Sequence, residues 1–291
     1  MTNPILPNPI LLGLIAETSI HYGAETGGGA IDLPVAREAA TNYPVIAGSA
    51  FKGSLKDMLG GENEYTGGVD KAGQIIFSDI RLLLLPVRSL SSSYAWVTCP
   101  LLLERLQRDA RRAGGAIATG IPDFTIPTVK DEHYVCANAD LHDLLQLEER
   151  QFKKTANNTS DPALAKLVAA LQLIIVHPSA QDRVAAQLVA VSNNDFAWFA
   201  EFALPVNAHN KLNADNKTSE NLWYEETLPP DTVMYSLILP RPTLPCKTQQ
   251  DAMKHIADLL KKKPHLQIGA GETTGLGWFA HKHVAPAQGG N

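Results

Sequence analysis

Apolar and polar positions follow two rhythms along this chain. Ile10 to Ile20 is apolar on both faces, the pattern of a strand central in a sheet. Gln74 to Leu85, Tyr94 to Cys99, Thr232 to Leu239, Leu266 to Ile268 and Trp278 to Val284 also read as strands. Phe196 to Val206 is aromatic-rich and strand-like. Helical spacing predicts Ala50 to Leu59, with Ser49 as its N-cap, and a helix that starts at Pro100 and stops at Gly114-Gly115. Further helices are expected over Leu141 to Phe152, Ala163 to Val176, Ala180 to Val191 and Gln249 to Lys263. Ile117 to Cys136 has no clear period, and Asn157 to Pro162 is a polar break. The polar stretch Asn207 to Asn221 reads as a protruding loop or hairpin tip, after which Leu222 to Glu226 re-enters structure. No internal repeat is visible.

Composition narrows this little. The chain has 291 residues, 45% hydrophobic and 19% charged, which suits one large domain or two with a sizeable core. A net charge of −5 does not advertise nucleic-acid binding, but such binding depends on local basic patches rather than on the total. Cys99, Cys136 and Cys246 form no C-x-x-C pair, which argues against a disulfide framework or zinc finger and for a reducing compartment. Met1 to Pro9 lacks a basic residue, and no apolar run reaches the roughly 18 residues of a membrane span. A cytoplasmic protein without a membrane partner is expected.

Candidate chemistry gathers in two glycine-rich stretches. The first holds His21, Gly23, Gly27, Gly28, Gly29 and Asp32, and continues through Gly48, Ser49, Lys52, Gly53 and Lys56. Lys52 and Lys56 share one helix face, near a helix start whose free amides attract phosphate. Gly53 costs its helix about 1 kcal/mol relative to alanine and needs a packing or ligand reason. The competing reading is two solvated lysines. The second stretch, Gly269 to Gly277, lacks the Gly-Lys-Ser/Thr of a phosphate loop, and strand-like sequence follows it. A glycine turn between strands still presents amides to a phosphate. Arg105, Arg108, Arg111 and Arg112 form a basic helical face, which is more often solvated than bound to a phosphate backbone. His281 and His283 share a strand face without a third metal ligand. Serine and cysteine hydrolase motifs are lacking. Asp32, in a short rigid segment after the glycines, suits a carboxylate that orients a metal-bound water or a reacting hydroxyl. A turn aspartate is the plain alternative.

The ordered set of motifs is more specific than any one of them. It comprises His21-Tyr22-Gly23, Gly29 to Glu38 with its Asp-x-Pro-x-x-Arg-Glu, Pro44 to Gly53, Pro86 to Ser89, Tyr94 to Thr98, Leu222-Trp223-Tyr224-Glu225-Glu226, and Gln267 to Gly277. Together these resemble the repeat-associated mysterious proteins (RAMPs) of CRISPR systems, and among them the backbone subunits of type III-B Cmr effector complexes. The resemblance implies an α+β fold with a ferredoxin-like (RNA-recognition-motif-like) core. A single domain is implied, with insertions near 114–160 and 205–223, the latter a thumb hairpin, and a tail over 285–291. Implied partners are a guide CRISPR RNA, a target RNA, copies of the chain in a helical filament, and other Cmr subunits. The implied reaction is metal-dependent attack of a ribose 2′-OH on the adjacent phosphate, with Asp32 positioning a weakly held Mg or Mn ion or the hydroxyl. His21, Glu225 and Glu226 are weaker helpers. Arg37, Gly48, Ser49, Lys52, Lys56, Gly269, Gly271, Gly275 and Gly277 are the implied RNA contacts. Two alternatives stay open: a non-catalytic guide-binding filament subunit, and a metal-independent precursor-processing nuclease using His21.

Overall fold

The computed structural model describes residues 9–23, 31–138, 140–155 and 162–285. Gly27, Gly28, Gly29, most of the break after Asn157 and the tail beyond residue 285 lie outside them. Strand β1 (Ile10–Ala16) is buried at every position, as its uninterrupted apolar sequence requires. Ile10, Leu12 and Leu14 face one apolar cluster, while Leu11 and Ile15 face another. Strand β2 (Val45–Ile46) leads into helix α1 (Gly48–Met58). Strands β3 (Ile75–Phe77), β4 (Ile80–Arg88) and β5 (Tyr94–Thr98) follow. Helix α2 (Pro100–Arg112) opens on a proline, whose missing N–H would have lacked a partner there anyway. Next come α3 (Gly115–Thr119), β6 (His133–Cys136), β7 (Leu144–Leu147) and β8 (Arg150–Lys154). Helices α4 (Pro162–Ile174) and α5 (Pro178–Gln187) precede β9 (Leu188–Val191) and α6 (Asn193–Phe202). The hairpin β10 (Val206–Leu212) and β11 (Ser219–Glu226) stands as a sheet of its own. Strand β12 (Val233–Pro240), helix α7 (Cys246–Lys262), and strands β13 (His265–Gln267) and β14 (Trp278–Val284) close the chain.

The centre of the large sheet runs β14-β1-β12-β4, every neighbouring pair antiparallel. Helix α1 lies between β1 and β4 in sequence, and α7 between β12 and β14, so this is the split βαβ plan of a ferredoxin-like core. Phe51 and Leu55 of α1, with Met253, Ile256 and Leu260 of α7, cover one face. Leu103 and Leu106 of α2, Leu167 and Leu171 of α4, and Val184 of α5 cover the other. Gly13 shows how closely the second layer sits: a Cβ there would lie 2.0 Å from the Ile174 carbonyl oxygen. Beyond β4 the sheet extends through β5, β9, β6, β8 and β7.

Several expected elements differ, each for a local reason. Leu141 to Phe152 is not a helix but the β7–β8 hairpin, turned at Glu148 in a left-handed conformation (φ 49°) that its sequence does not signal. Phe196 to Val206 is mainly helix α6. Ser192 caps it by accepting the Asp195 N–H, and its aromatic residues fill the core. The helix expected over Ala180 to Val191 stops at Gln187, and its last residues become β9. The long first strand ends at Ala16, and Ile20 makes only a bridge to Leu228. Gln74 to Leu85 is interrupted at Ser78-Asp79. Ser49 caps nothing; the Gly48 N–H at the start of α1 donates instead to Asp79 Oδ1 at 2.8 Å. Of the two histidines expected on one strand face, His281 is buried and His283 exposed.

His281 donates from Nε2 to the Lys263 carbonyl at 2.6 Å, while its Nδ1 has no partner among the described residues. Burial holds the His281 imidazole below the ordinary histidine range, against the opposing pull of that carbonyl. This ring therefore protonates more readily in the unfolded chain. The stability tied to its neutral form is complete above about pH 6.5 and is lost as pH falls below it. The melting temperature of the wild type should drop on acidification from about pH 7 to about pH 5.5, and His281→Gln should drop less. An identical slope in the two would refute this role.

Candidate functional site

The root of the β10–β11 hairpin gathers all four candidate catalytic residues. Leu33 donates its N–H to the Tyr224 carbonyl at 3.0 Å, and Glu226 donates its N–H to the Leu33 carbonyl at 2.9 Å. Tyr224 in turn donates its N–H to Asp32 Oδ2 at 2.8 Å. The exposed Asp32 carboxylate is thus fixed by a backbone amide of β11, and Oδ1 has no partner among the described residues.

Glu226 turns the other way and is 2% exposed. Its Oε2 accepts the Val35 N–H at 3.0 Å and its Oε1 accepts from Arg37 at 2.7 Å. Arg37 also donates to the carbonyls of Ala200 (2.6 Å) and Asn42 (3.0 Å), so its guanidinium is committed to the protein. His21, 5% exposed, bonds through Nδ1 to the Glu226 carbonyl at 2.8 Å. A carbonyl only accepts, so the proton sits on Nδ1. Strand alternation sends Glu225 to the face opposite Glu226. There its Oε1 lies 3.9 Å from His209 Nε2 on the paired strand, and the His209 ring stacks on Trp223 with centroids 5.4 Å apart. Of the four residues, only Asp32 offers an exposed reactive group.

The two glycine stretches meet at a second place. Helix α1, the segment from Gln267 to Trp278, and Tyr22-Gly23 enclose a cavity of about 870 Å³. Ala50, Gly53, Ser54 and Asp57 line it from one face of α1. A Cβ on Gly53 would touch nothing within 4 Å, so packing does not demand glycine there. Gly48 differs, because a Cβ would lie 2.5 Å from the Phe77 carbonyl oxygen. The second loop is fastened to the first stretch: Ala270 donates its N–H to the His21 carbonyl (2.8 Å) and Gly277 to the Ser19 carbonyl (3.0 Å). Gly269, Gly271, Gly275 and Gly277 all have φ between 75° and 105°, which glycine adopts readily. The loop's own path therefore requires these four glycines.

The positive groups are arranged differently from expectation. The α1 N-terminus holds the chain's own Asp79 carboxylate, which weakens it as a phosphate site. Lys56 pairs with Glu62 at 3.2 Å, Lys52 has no partner among the described residues, and neither lines the cavity. Lys263 and His265 do line it, with the rings of Tyr22 and Trp278, and sequence reading missed them. The lysine run at the end of α7 could have signalled them, but a helix dipole explains it equally well. The α2 arginines are neutralised: Arg105 pairs with Glu38 (2.8 Å), Arg108 with Glu104 (3.6 Å), Arg111 with Asp123 (3.6 Å) and Arg112 with Asp109 (3.3 Å). Among the described residues no three His, Cys, Asp or Glu side chains converge as a metal site.

Comparison with known proteins gives a consistent picture. The profile of the RAMP superfamily matches residues 14–280. The CRISPR system Cmr endoribonuclease Cmr4 of Pyrococcus furiosus is 32% identical over 288 residues, covering 92% of this chain and 93% of that one. The crystal structure of oligomeric Cmr4 from Pyrococcus furiosus superposes with a TM-score of 0.73 at 26% identity, over 97% of this chain and all of that one. A chain of the type III-B Cmr-beta complex bound to cognate target RNA shares the fold, with a TM-score of 0.71 at 18% identity. That match covers 97% of this chain and 99% of the other.

Two substitutions test this geometry by denaturant unfolding. Glu226→Ala leaves the Arg37 guanidinium and the Val35 N–H without their carboxylate and should lower stability by about 3–5 kcal/mol. Gly53→Ala should raise stability by up to about 1 kcal/mol, because the helix gains and nothing clashes. A destabilising Gly53→Ala would show that packing does require glycine at this position.

Proposed function

The chain belongs to the RAMP superfamily, and we propose that it is a guide-RNA-binding backbone subunit of a type III-B CRISPR effector complex that cleaves complementary target RNA. The observation that carries this reading is Asp32, an exposed carboxylate held by the Tyr224 amide at the root of a projecting hairpin. The similarity to a Cmr endoribonuclease supports it, as does the likeness to an oligomeric relative. Copies of the chain would line up along one guide, with other Cmr subunits completing the complex in the cytoplasm. No helix among the described residues is long and apolar enough to cross a membrane.

The guide would be held by its backbone, which needs amides and cations rather than base-specific groups. Lys263 at the cavity, and Lys52 beside it on α1, supply positive charge, and His265 adds a polar ring to the lining. Tyr22 and Trp278 supply faces on which bases stack. At the hairpin root the target 2′-oxygen forms a bond to the adjacent phosphorus while the bond to the 5′-oxygen breaks. The products are a 2′,3′-cyclic phosphate and a 5′-hydroxyl, with one proton leaving the 2′-OH and one arriving at the 5′-oxygen. Asp32 Oδ1 accepts the 2′-OH hydrogen bond, and Tyr224 keeps the carboxylate in place through Oδ2. The chain alone offers Asp32 as a ligand for a weakly held Mg or Mn ion, whose other ligands would be phosphate oxygens and water. Such an ion supplies charge neutralisation at the phosphate. His21 fits a positioning role better than acid–base catalysis, because it is buried and bonded to the Glu226 carbonyl.

The test is an assembled complex with guide and labelled target. Wild type should give regularly spaced products that vanish both in Asp32→Asn and on chelation. Undiminished cutting by Asp32→Asn would sink the catalytic assignment, and binding without cutting by the wild type would favour the purely structural alternative. Chelator-resistant cleavage of precursor by the isolated chain, lost in His21→Ala, would favour the processing nuclease. Lys52→Ala and Lys263→Ala should each weaken guide binding about equally for all sequences and lower the salt slope by about one. A loss confined to one guide sequence would contradict backbone recognition.

A further inference from the structure

Cleavage needs one proton delivered to the departing 5′-oxygen, and the groups so far placed at the hairpin root do not deliver it. The Asp32 carboxylate accepts from the 2′-OH. His21 is buried with its Nδ1 proton on the Glu226 carbonyl, and Arg37 is committed to the protein. A part-exposed imidazole stands one strand away. His209 of β10 is opposite Trp223 of β11 in the register, and its ring stacks on the indole at an interplanar angle of 15°. Its Nε2 lies 3.9 Å from Glu225 Oε1, too far for a hydrogen bond but near enough for the carboxylate to attract the ring when it is protonated. The His209 side chain is 40% exposed, and no hydrogen bond among the described residues takes either ring nitrogen.

The register sets this imidazole beside the residue that holds Asp32. Trp223 and Glu225, the two side chains it approaches, flank Tyr224 and share one face of the ribbon. The Tyr224 N–H and C=O point to the other edge of β11, where they meet Asp32 Oδ2 and the Leu33 N–H. One strand therefore separates His209 from Asp32, and their backbones stand about 10 Å apart, two strand spacings. In-line displacement puts the entering and leaving oxygens on opposite sides of phosphorus, so a base and an acid must face each other across the phosphate. A hydrogen-bond reach of about 3 Å from each side fills most of that gap. The other donors on the ribbon are placed less well. Lys211 pairs with Glu220 at 3.1 Å toward the tip, and the Tyr224 phenol alternates to the opposite face with Glu226.

We propose that His209 is the general acid of the cleavage step. Its Nε2 proton passes to the 5′-oxygen as the bond from phosphorus to that oxygen breaks and the 2′-oxygen bonds to phosphorus. The neutral ring then regains a proton from water, and Glu225 keeps Nε2 turned toward the root. The proposal rests on the reading of the chain as the cutting subunit, so the test uses the complex assembled with guide. Two targets are compared, one ordinary and one with sulfur in place of the bridging 5′-oxygen at a cut position, because a thiolate leaves without a proton. His209→Gln and His209→Phe, the second keeping a ring on Trp223, should cut the ordinary target about 100-fold or more slowly while binding it as wild type does. Both should cut the sulfur target within a few-fold of wild type, whereas Asp32→Asn should lose both targets. Undiminished cutting of the ordinary target by His209→Phe would overturn the proposal, as would equal slowing on both targets, which marks a positioning role. It also fails if Tyr224→Phe shows the selective rescue instead, or if wild type cuts the sulfur target only when manganese replaces magnesium, which puts the metal at the leaving oxygen. A wild type that binds without cutting either target removes the nuclease reading itself. A wild type and a His209→Phe that cut equally well remove only the acid.

Discussion

The buried carboxylate of Glu226 is the interaction on which the rest of the site depends. It draws the Arg37 guanidinium and the Val35 amide into the protein, and this fixes the path of the segment that begins at Asp32. The same residue's backbone carbonyl orients His21. The His21 carbonyl in turn receives the Ala270 amide of the second glycine loop. That loop is joined to α1 where Ser54 donates to the Gln267 carbonyl. A single desolvated charge thus links the hairpin root to the cavity at the far end of the loop. Removing one partner of such a pair strands the other in a low dielectric, so the cost is set by burial rather than by the number of bonds.

This arrangement divides labour between the two faces of the sheet. Residues around Asp32, the root of the hairpin and α1 all pack with one cluster, and α2, α4 and α5 pack with the other. The split βαβ core makes the division possible. Its central strand is apolar on both faces, and helices can cover each side independently.

Much of the core was legible because its strands are apolar without interruption and its long helices have clear periods. The errors arose where tertiary context outweighed local pattern. The β7–β8 turn places Glu148 in a left-handed conformation without a glycine to signal it, so nothing in the segment marked a turn and it read as a helix. The aromatic run after Asp195 looked like a strand, although Ser192 three residues earlier is a capping signal that sequence carries. At the candidate site, the pattern singled out Asp32 and both glycine stretches as candidates, and the role of Asp32 came from the resemblance. It could not separate Glu225 from Glu226, because only strand alternation against the core decides which is buried. Nor did it show that Asp79 occupies the start of α1, since that depends on a break within what read as one strand. Lys263 and His265 were hidden for a similar reason: only the folded loop brings them to the cavity.

The hairpin is nearly all exposed on both faces, and among the described residues its ties to the body of the protein gather at its base. Tyr224, whose amide grips Asp32, belongs to the strand that runs out to the tip. The carboxylate thus takes its position from the ladder of the hairpin itself and not from the core sheet, and whatever pairs or unpairs the two strands also sets where Asp32 stands.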